Sequence, residues 1–97
     1  MIVKMHKTKD MRLVLAVCDS EILGKRFEDG KKQLDLTSDF YKGEEKSDDD
    51  VRDLMRNSYM LNLVGEKTIK LALDENMIDQ SNVKIINNIP YVNVSLE

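Results

Sequence analysis

The stretch "RLVLAVC", residues 12–18, decides the fold. Its residues are almost all apolar, at both the odd and the even positions, and it is rich in valine and leucine. So short an apolar run is typical of a strand in the middle of a sheet. Residues 1–7 before it alternate loosely between apolar and polar, and turn-forming residues around Asp10 separate the two stretches. Together they predict an N-terminal β-hairpin whose second strand is central.

The segment after this hairpin predicts a short helix from Ser20 to about Gly30. Ser20 is a good N-cap residue, because its hydroxyl can accept a hydrogen bond from a free amide of the first turn. Ile22, Leu23 and Phe27 follow helical spacing. Residues 32–37 then alternate like a strand.

The second half of the chain predicts two further helices. Ser47, with Asp50 three residues later, indicates a capped helix start, and residues 66–76 have the clearest helical periodicity. Asn76 suits the left-handed conformation at a helix end. Residues 59–64 fit either a helix extension or a strand, and we favour the strand.

The C-terminal residues predict a second hairpin. Asn87 and Asn88 suit the two central positions of a tight turn, where φ is positive. Pro90 lacks an amide donor, which predicts that its strand lies at an edge of the sheet or contains a bulge.

This order of elements predicts an α+β fold, a two-layer sandwich in which about three helices cover a mostly antiparallel sheet. We expect one domain over residues 1–95, while residues 96–97 could remain from a purification tag. A composition of 41% hydrophobic and 34% charged residues is that of a globular protein. No apolar run approaches the roughly 18 residues of a membrane span. The single cysteine excludes an internal disulfide and agrees with a reducing cytoplasm.

Cys18 is a candidate nucleophile, since a thiol near a helix N-terminus can be acidified. A cysteine enzyme also needs a base within reach. The one histidine, His6, lies on the neighbouring strand, and hairpin pairing places it beside residues near 13. A small buried residue is therefore the favoured interpretation of Cys18, and a cysteine-dependent enzyme is the alternative.

Neither a metal nor a cofactor is predicted. The carboxylates of residues 48–50 and Asp53 resemble a divalent-cation cluster, but the first three fall in the first turn of a helix, where the dipole favours acids. Their spacing is not that of a calcium loop. Gly65, Lys67 and Thr68 resemble part of a phosphate loop, but the glycine that opens this motif is missing.

An uneven distribution of charge predicts contact with nucleic acid. The net charge is −3, yet residues 1–12 carry four cations against one carboxylate, and the segment after Cys18 adds Lys25, Arg26, Lys31 and Lys32. Cations of this kind supply most of the non-specific affinity for a phosphate backbone. The candidate nucleic-acid-binding residues are Lys4, Lys7, Arg12, Lys25, Arg26 and Lys32.

Four blocks of sequence in this order, "CDSEILGKRFEDGKKQLDL", "FYKGE", "NLVGEKTIKLAL" and "IPYV", resemble a small archaeal family, the domain of unknown function 424. The resemblance spans Met1 to about Val94. It implies an archaeal, cytoplasmic, single-domain α+β protein. The family brings no activity with it, so no catalytic residue is carried over. Candidates for surface contact within the matching blocks are Cys18, Gly65 and Glu66.

The absence of a catalytic constellation and the separated charge together favour a non-enzymatic binding module. We expect its partner to be RNA or a translation-linked protein, in the cytoplasm and not at a membrane. Two alternatives stay open: an enzyme that uses Cys18, and a structural or oligomeric interaction domain. The sequence leaves monomer and homodimer equally open.

Overall fold

A six-stranded sheet is the frame of the molecule, with two helices on one face and a separate two-stranded hairpin on the other. The computed structural model describes residues 1–96. The strands are β1 Ile2–Lys7, β2 Leu13–Cys18, β3 Arg26–Asp29, β4 Lys32–Asp35, β5 Glu44–Glu45, β6 Met60–Val64, β7 Lys84–Ile86 and β8 Ile89–Ser95. The helices are α1 Asp48–Arg56 and α2 Glu66–Asp74, with short 3-10 turns at Ser20–Ile22 and Gln80–Asn82.

The main sheet is mixed, in the order β5-β1-β2-β6-β8-β7. Its strands pair antiparallel except for β2 and β6, which run parallel. The stretch that we expected to be central is β2, which lies between β1 and β6. Leu15 to Cys18 have no accessible surface. Helix α1 lies in the crossover from β2 to β6, which such a parallel pair requires.

The sheet divides the apolar residues into two cores. Leu15, Val17, Leu61 and Leu63 face the two helices, because alternate side chains of a strand point to the same side. The helical residues packed there are Val51, Met55, Ile69, Leu71 and Ala72. Cys18 and Val64 face the other way and pack against the β3–β4 hairpin and the segment after it, through Phe27, Leu34 and Leu36.

Several predicted elements are confirmed. Ser47 caps α1, and its Oγ accepts from the amide of Asp50 at 3.3 Å. Residues 60–64 form strand β6. Asn76, two residues after the end of α2, has the left-handed conformation with φ +57°. Asn87 and Asn88 form the β7–β8 turn at φ +49° and +66°, the positive pair that a tight hairpin turn requires.

The helix predicted from Ser20 to Gly30 is wrong. Only Ser20–Ile22 is helical, as a 3-10 turn, and β3 follows it. Gly24 has φ +85° and Gly30 has φ +62°, so both leave the right-handed helical region. Asp29-Gly30 is a strong hairpin signal, and the turn that it makes joins β3 to β4. The fold is α+β as predicted, but with two α-helices rather than about three, and the hairpin adds a partial third layer.

The predicted edge position of Pro90 is also wrong, because β8 lies between β6 and β7. Proline is tolerated there because the β6–β8 ladder ends at the pair Val64–Tyr91 and does not include Pro90. The Pro90 carbonyl still accepts from the amide of Gly65 at 2.9 Å. A proline at this position removes no ladder bond to β6.

The last described residue belongs to the fold. The Leu96 amide donates to the Tyr59 carbonyl at 2.9 Å, and its side chain packs against the helical core. Glu97, which we grouped with Leu96 in the sequence, lies outside the described residues. In residues 1–96 each helix is too short and too polar to cross a membrane.

Candidate functional site

The carboxyl ends of the parallel strands β2 and β6 meet at Asp19 and Gly65. The Asp19 carboxylate accepts from the amide of Lys67 at 3.0 Å, and from the amide and hydroxyl of Thr68 at 2.8 Å each. The Asp19 amide donates to the Val64 carbonyl at 3.1 Å. Asp19, which is only 5% exposed, therefore caps α2 from a distant part of the chain and fixes the helix to β2.

Gly65 lets this carboxylate approach the helix start. Its φ is +111°, and a Cβ at this position would lie 2.6 Å from each Asp19 carboxylate oxygen. The amides at a helix start are those that a phosphate would use, and here Asp19 occupies them. Residues 65–68 are thus part of a structural clip, and the amides of Lys67 and Thr68 are already bonded to Asp19 and are not vacant for an anion.

Two of the three candidates for surface contact are not at the surface, which corrects the prediction. Cys18 has no exposed surface and Gly65 is buried, while Glu66 is exposed. Burial, with a smaller contribution from the Asp19 carboxylate, raises the pKa of the Cys18 thiol to about 11. A thiol in that environment is protonated at neutral pH and is a poor nucleophile.

His6 does not serve as the base for Cys18. In the β1–β2 ladder Cys18 pairs with Ile2 and His6 pairs with Val14, so four strand positions, about 13 Å, separate them. The His6 ring instead stacks on Phe40, with ring centroids 4.4 Å apart, and Nε2 hydrogen-bonds the Phe40 carbonyl at 3.0 Å. The predicted register of the N-terminal hairpin, with His6 beside residues near 13, is confirmed.

A cleft at the opposite end of these strands collects cationic side chains. Its volume is about 570 Å³, and it lies between the C-terminal end of α1 and the start of β2 and β6. The described residues that line it are Lys7, Met11, Arg12, Leu13, Arg56, Asn57, Ser58, Tyr59 and Leu96. Three of them are cationic and none of them carries a carboxylate. We call this the cationic cleft.

Local hydrogen bonds build the walls of the cationic cleft. The β1–β2 turn closes with the Thr8 amide donating to the Arg12 carbonyl at 2.9 Å. The Tyr59 amide donates to the Leu13 carbonyl at 2.8 Å, which joins the end of α1 to β2. At the end of that helix, the Ser58 hydroxyl donates to the Leu54 carbonyl at 2.6 Å. The first two bonds hold the cleft walls together, and the third satisfies one carbonyl at the C-terminal end of α1.

The cations of the cleft differ in their own ion pairs. The Arg12 guanidinium lies 4.5 Å from the centre of the Tyr59 ring, and its Nε lies 3.1 Å from the Asp10 carboxylate. Arg56 pairs with Glu75 and, at 3.4 Å, with Asp53. Lys7 is exposed and has no ion pair within residues 1–96. These carboxylates stand at the margin of the cleft and offset part of the charge of Arg12 and Arg56, so Lys7 is its least compensated cation within residues 1–96.

The six predicted nucleic-acid-binding residues do not lie together. Lys7 and Arg12 line the cationic cleft, while Lys4 lines a separate groove beside β1. Lys25, Arg26 and Lys32 belong to the β3–β4 hairpin and the segment before it, across the sheet from the helices. There Arg26 forms an ion pair with Glu28 at 2.8 Å and donates a hydrogen bond to Gln33 at 3.0 Å.

Arg56 and Tyr59 are the residues of the cationic cleft that sequence reasoning missed. They come from the end of α1 and the residues after it, more than 40 positions along the chain from Arg12. No spacing rule connects such distant residues. Only the parallel pairing of β2 with β6 brings them together.

A second cleft, of about 490 Å³, lies beside Asp19, and its charges are paired with one another. Lys67 pairs with Glu21 at 3.1 Å and Lys70 pairs with Asp74 at 2.8 Å. The bond from Lys67 lowers the pKa of Glu21. With both signs present and mutually satisfied, this cleft has no clear preference for the charge of a ligand.

Two of the four acidic residues of α1 form ion pairs with arginines of the same helix. Asp49 pairs with Arg52 at 2.6 Å, and Asp53 pairs with Arg56. Among residues 1–96, no group of three or more His, Cys, Asp or Glu side chains is placed to hold a metal ion.

Comparisons with known proteins agree with this architecture. The family profile DUF424, described as a protein of unknown function, matches residues 6–95. A solved structure, "an uncharacterized conserved protein from Methanopyrus kandleri", superposes with a TM-score of 0.80 and 21% sequence identity. The match covers 98% of this chain and 90% of that chain, and at this identity it shows a shared fold. No curated protein matches the chain. The chain therefore belongs to the DUF424 family of proteins of unknown function.

Proposed function

We propose that the protein is a non-enzymatic binding module of the cytoplasm that takes single-stranded RNA in the cationic cleft. The observation that carries the proposal is the lining of that cleft, where Lys7, Arg12 and Arg56 converge and no carboxylate is present among the described lining residues. Cationic side chains that contact phosphates supply most of the affinity for a nucleic-acid backbone.

The Arg12–Tyr59 pair supports RNA rather than a free phosphate. Unstacked bases pack on aromatic rings and on arginine guanidinium planes, and this cleft wall contains one of each in contact. Each base–aromatic stack contributes about 1–3 kcal/mol and tolerates any base. We therefore expect binding that depends weakly on sequence, in the range of about 1–100 μM at physiological salt.

An enzyme that uses Cys18 has less support. The thiol has no exposed surface, its pKa is raised to about 11, and His6 lies away from it on the β1–β2 ladder. Nucleophilic catalysis needs an accessible thiolate and a base within hydrogen-bond reach. We propose binding rather than catalysis for this reason.

Fluorescence anisotropy with a labelled oligouridine of about 12 nucleotides tests the proposal. Three phosphate contacts predict a slope of log affinity against log salt of about −2, so affinity falls about 20-fold from 50 to 200 mM salt. Lys7→Ala should weaken binding several-fold at low salt and reduce the slope by about 0.7.

The matched control is Lys32→Ala, which removes an equally exposed lysine from the β3–β4 hairpin. It should leave both affinity and slope near the wild-type values. Equal losses in the two variants would place the contact outside the cationic cleft. Absence of binding at about 50 mM salt would refute RNA binding altogether.

A further inference from the structure

We propose that the outer edge of β1 is a second binding site, which takes an extended acidic peptide segment of a partner protein as an added strand. This inference is independent of the RNA proposal. Strand addition of this kind needs an open row of backbone donors and acceptors, together with side chains that complement the peptide. The outer edge of β1 provides both.

The edge is open because its neighbour is short. Strand β5 pairs only with Ile2 and Val3, although β1 continues to Lys7. In an antiparallel ladder, the amide and carbonyl of one residue point to the same side, and successive residues alternate. The Met1 carbonyl accepts from Lys46 on the outer side, and the Thr8 amide donates to Arg12 on the inner side. Met5 and Lys7 therefore direct their amides and carbonyls outward.

Within residues 1–96 no strand pairs with this outward row beyond Val3. A groove of about 410 Å³ lies beside β1 as far as Met5, and residues 42–44 and Lys46, including the Glu44 carboxylate, form its other side. The Met5 side chain, 51% exposed, offers an apolar contact at its centre. The backbone of an incoming strand would lie beside Met5 and Lys7, with alternate side chains over the groove.

The charge around this edge selects an acidic peptide. Lys4, Lys7 and Lys9 follow one another along β1 and its turn, with Lys4 and Lys7 on opposite faces of the strand. None of the three has an ion pair within residues 1–96. Lys42 and Lys46 stand on the other side of the groove and pair only loosely, at 3.5 and 3.6 Å, with Asp39 and Glu44. Opposite charges directly across a strand pair are favourable, and like charges are not.

A second copy of this chain fits the edge less well. Pairing two β1 edges would bring the three lysines of one copy against the three of the other. Such repulsion is a recognised way of keeping sheet edges apart. An acidic peptide reverses the sign of that interaction, so the feature that discourages self-association favours this partner.

Amide hydrogen exchange, followed by NMR in the full chain, tests the proposal. The probe is an acetylated peptide of alternating glutamate and valine, and the matched peptide has lysine in place of glutamate. In the free protein, Met5 and Lys7 amides should exchange fast, and Lys4 and His6 amides slowly. Saturating acidic peptide should slow exchange at Met5 and Lys7 at least about tenfold, with no change at Lys4 and His6. The lysine peptide should have no such effect.

The variant Met5→Pro removes one outward donor while sparing the ladder to β2, a position at which an edge strand accepts proline. Its binding of the acidic peptide should fall at least about tenfold, since each paired group contributes, while Lys7 and Arg12 stay in the cationic cleft. Equal binding of the lysine peptide, or undiminished binding by the variant, would overturn the proposal. So would protection that grows with protein concentration alone, which indicates a second copy. Protection of the Met5 amide by the oligouridine in place of the peptide would also overturn it.

Discussion

Replacing Asp19 with alanine is expected to destabilise the protein by about 3 kcal/mol. The change removes the cap of α2, for which comparable losses are about 1 kcal/mol. It also leaves the buried Thr68 hydroxyl without its 2.8 Å acceptor. A stranded buried donor costs about 1–3 kcal/mol. The melting temperature should fall by about 15 °C.

Urea unfolding at pH 7, followed by circular dichroism, measures this loss. The matched control is Glu66→Ala, which removes an exposed carboxylate from the first turn of the same helix. That change should cost less than about 1 kcal/mol, since only the helix dipole is affected. The slope of the unfolding transition should stay the same in both variants.

A second substitution separates the stranded hydroxyl from the lost cap. Thr68→Val alone should destabilise by about 1 kcal/mol, because it removes one hydrogen bond. Combined with Asp19→Ala, it should restore about 1 kcal/mol, since the stranded hydroxyl is then absent and only the backbone amides of Lys67 and Thr68 have lost their acceptor. If Asp19→Ala costs less than about 0.5 kcal/mol, or if the two changes are simply additive, the clip is not what fixes α2 to β2.

Four further predictions concern three positions. Gly65→Ala should destabilise the protein by more than about 2 kcal/mol, because φ is +111° and a Cβ would meet Asp19. The control Gly24→Ala, at φ +85° with open space around the Cβ, should destabilise it by only about 1 kcal/mol. Equal losses of stability in urea unfolding would contradict the contact with Asp19. The Cys18 thiol should react with a disulfide reagent at pH 8 only as fast as the protein opens, so rapid reaction in the native protein would refute its burial. The pKa of this thiol is higher in the folded protein than in the unfolded chain. Its contribution to the free energy of unfolding is therefore complete below about pH 8.5 and is lost as pH rises towards about 11. The free energy of unfolding should fall over this range, and it should fall less steeply in Cys18→Ala. Asn88→Ala should cost about 1 kcal/mol while Asn88→Gly costs nothing, because φ is +66°; equal effects in thermal melts would contradict the turn geometry.

Elements with a dense local signal could be predicted from the sequence. Residues 12–18 carry enough apolar character to mark the central strand, and Asn87-Asn88 carries the chemistry of its turn. Ser47 as a cap and a helix within residues 66–76 could also be predicted, because the residues that specify each of them lie within a few positions of one another.

The segment from Ser20 to Gly30 shows where local reasoning fails. Its apolar residues fit helical spacing, yet Phe27 lies on β3 and is half-buried where the hairpin packs on the sheet. The pair Asp29-Gly30 carried the competing hairpin signal. Tertiary burial of Phe27 and Leu34 outweighed the weak preference of one short segment for helix, as propensities of this size allow.

The candidate sites depend on contacts between distant parts of the chain. Asp19 meets Thr68, and Arg12 meets Tyr59, only after β2 and β6 pair in parallel. Local patterns contain no information on that pairing. Lys7 and Arg12 were identified as cationic candidates from charge alone, but Arg56 and the separation of the hairpin lysines required the three-dimensional structure.

The most direct test of RNA binding at the cationic cleft is a titration of the ¹⁵N-labelled protein with the same oligouridine, followed amide by amide. Binding in the cationic cleft should concentrate the shifts at Lys7, Met11 to Leu13 and Arg56 to Tyr59, while the amide signals of residues 25–35 in the hairpin should not move. Shifts concentrated on the hairpin, or no shifts at low salt, would contradict it.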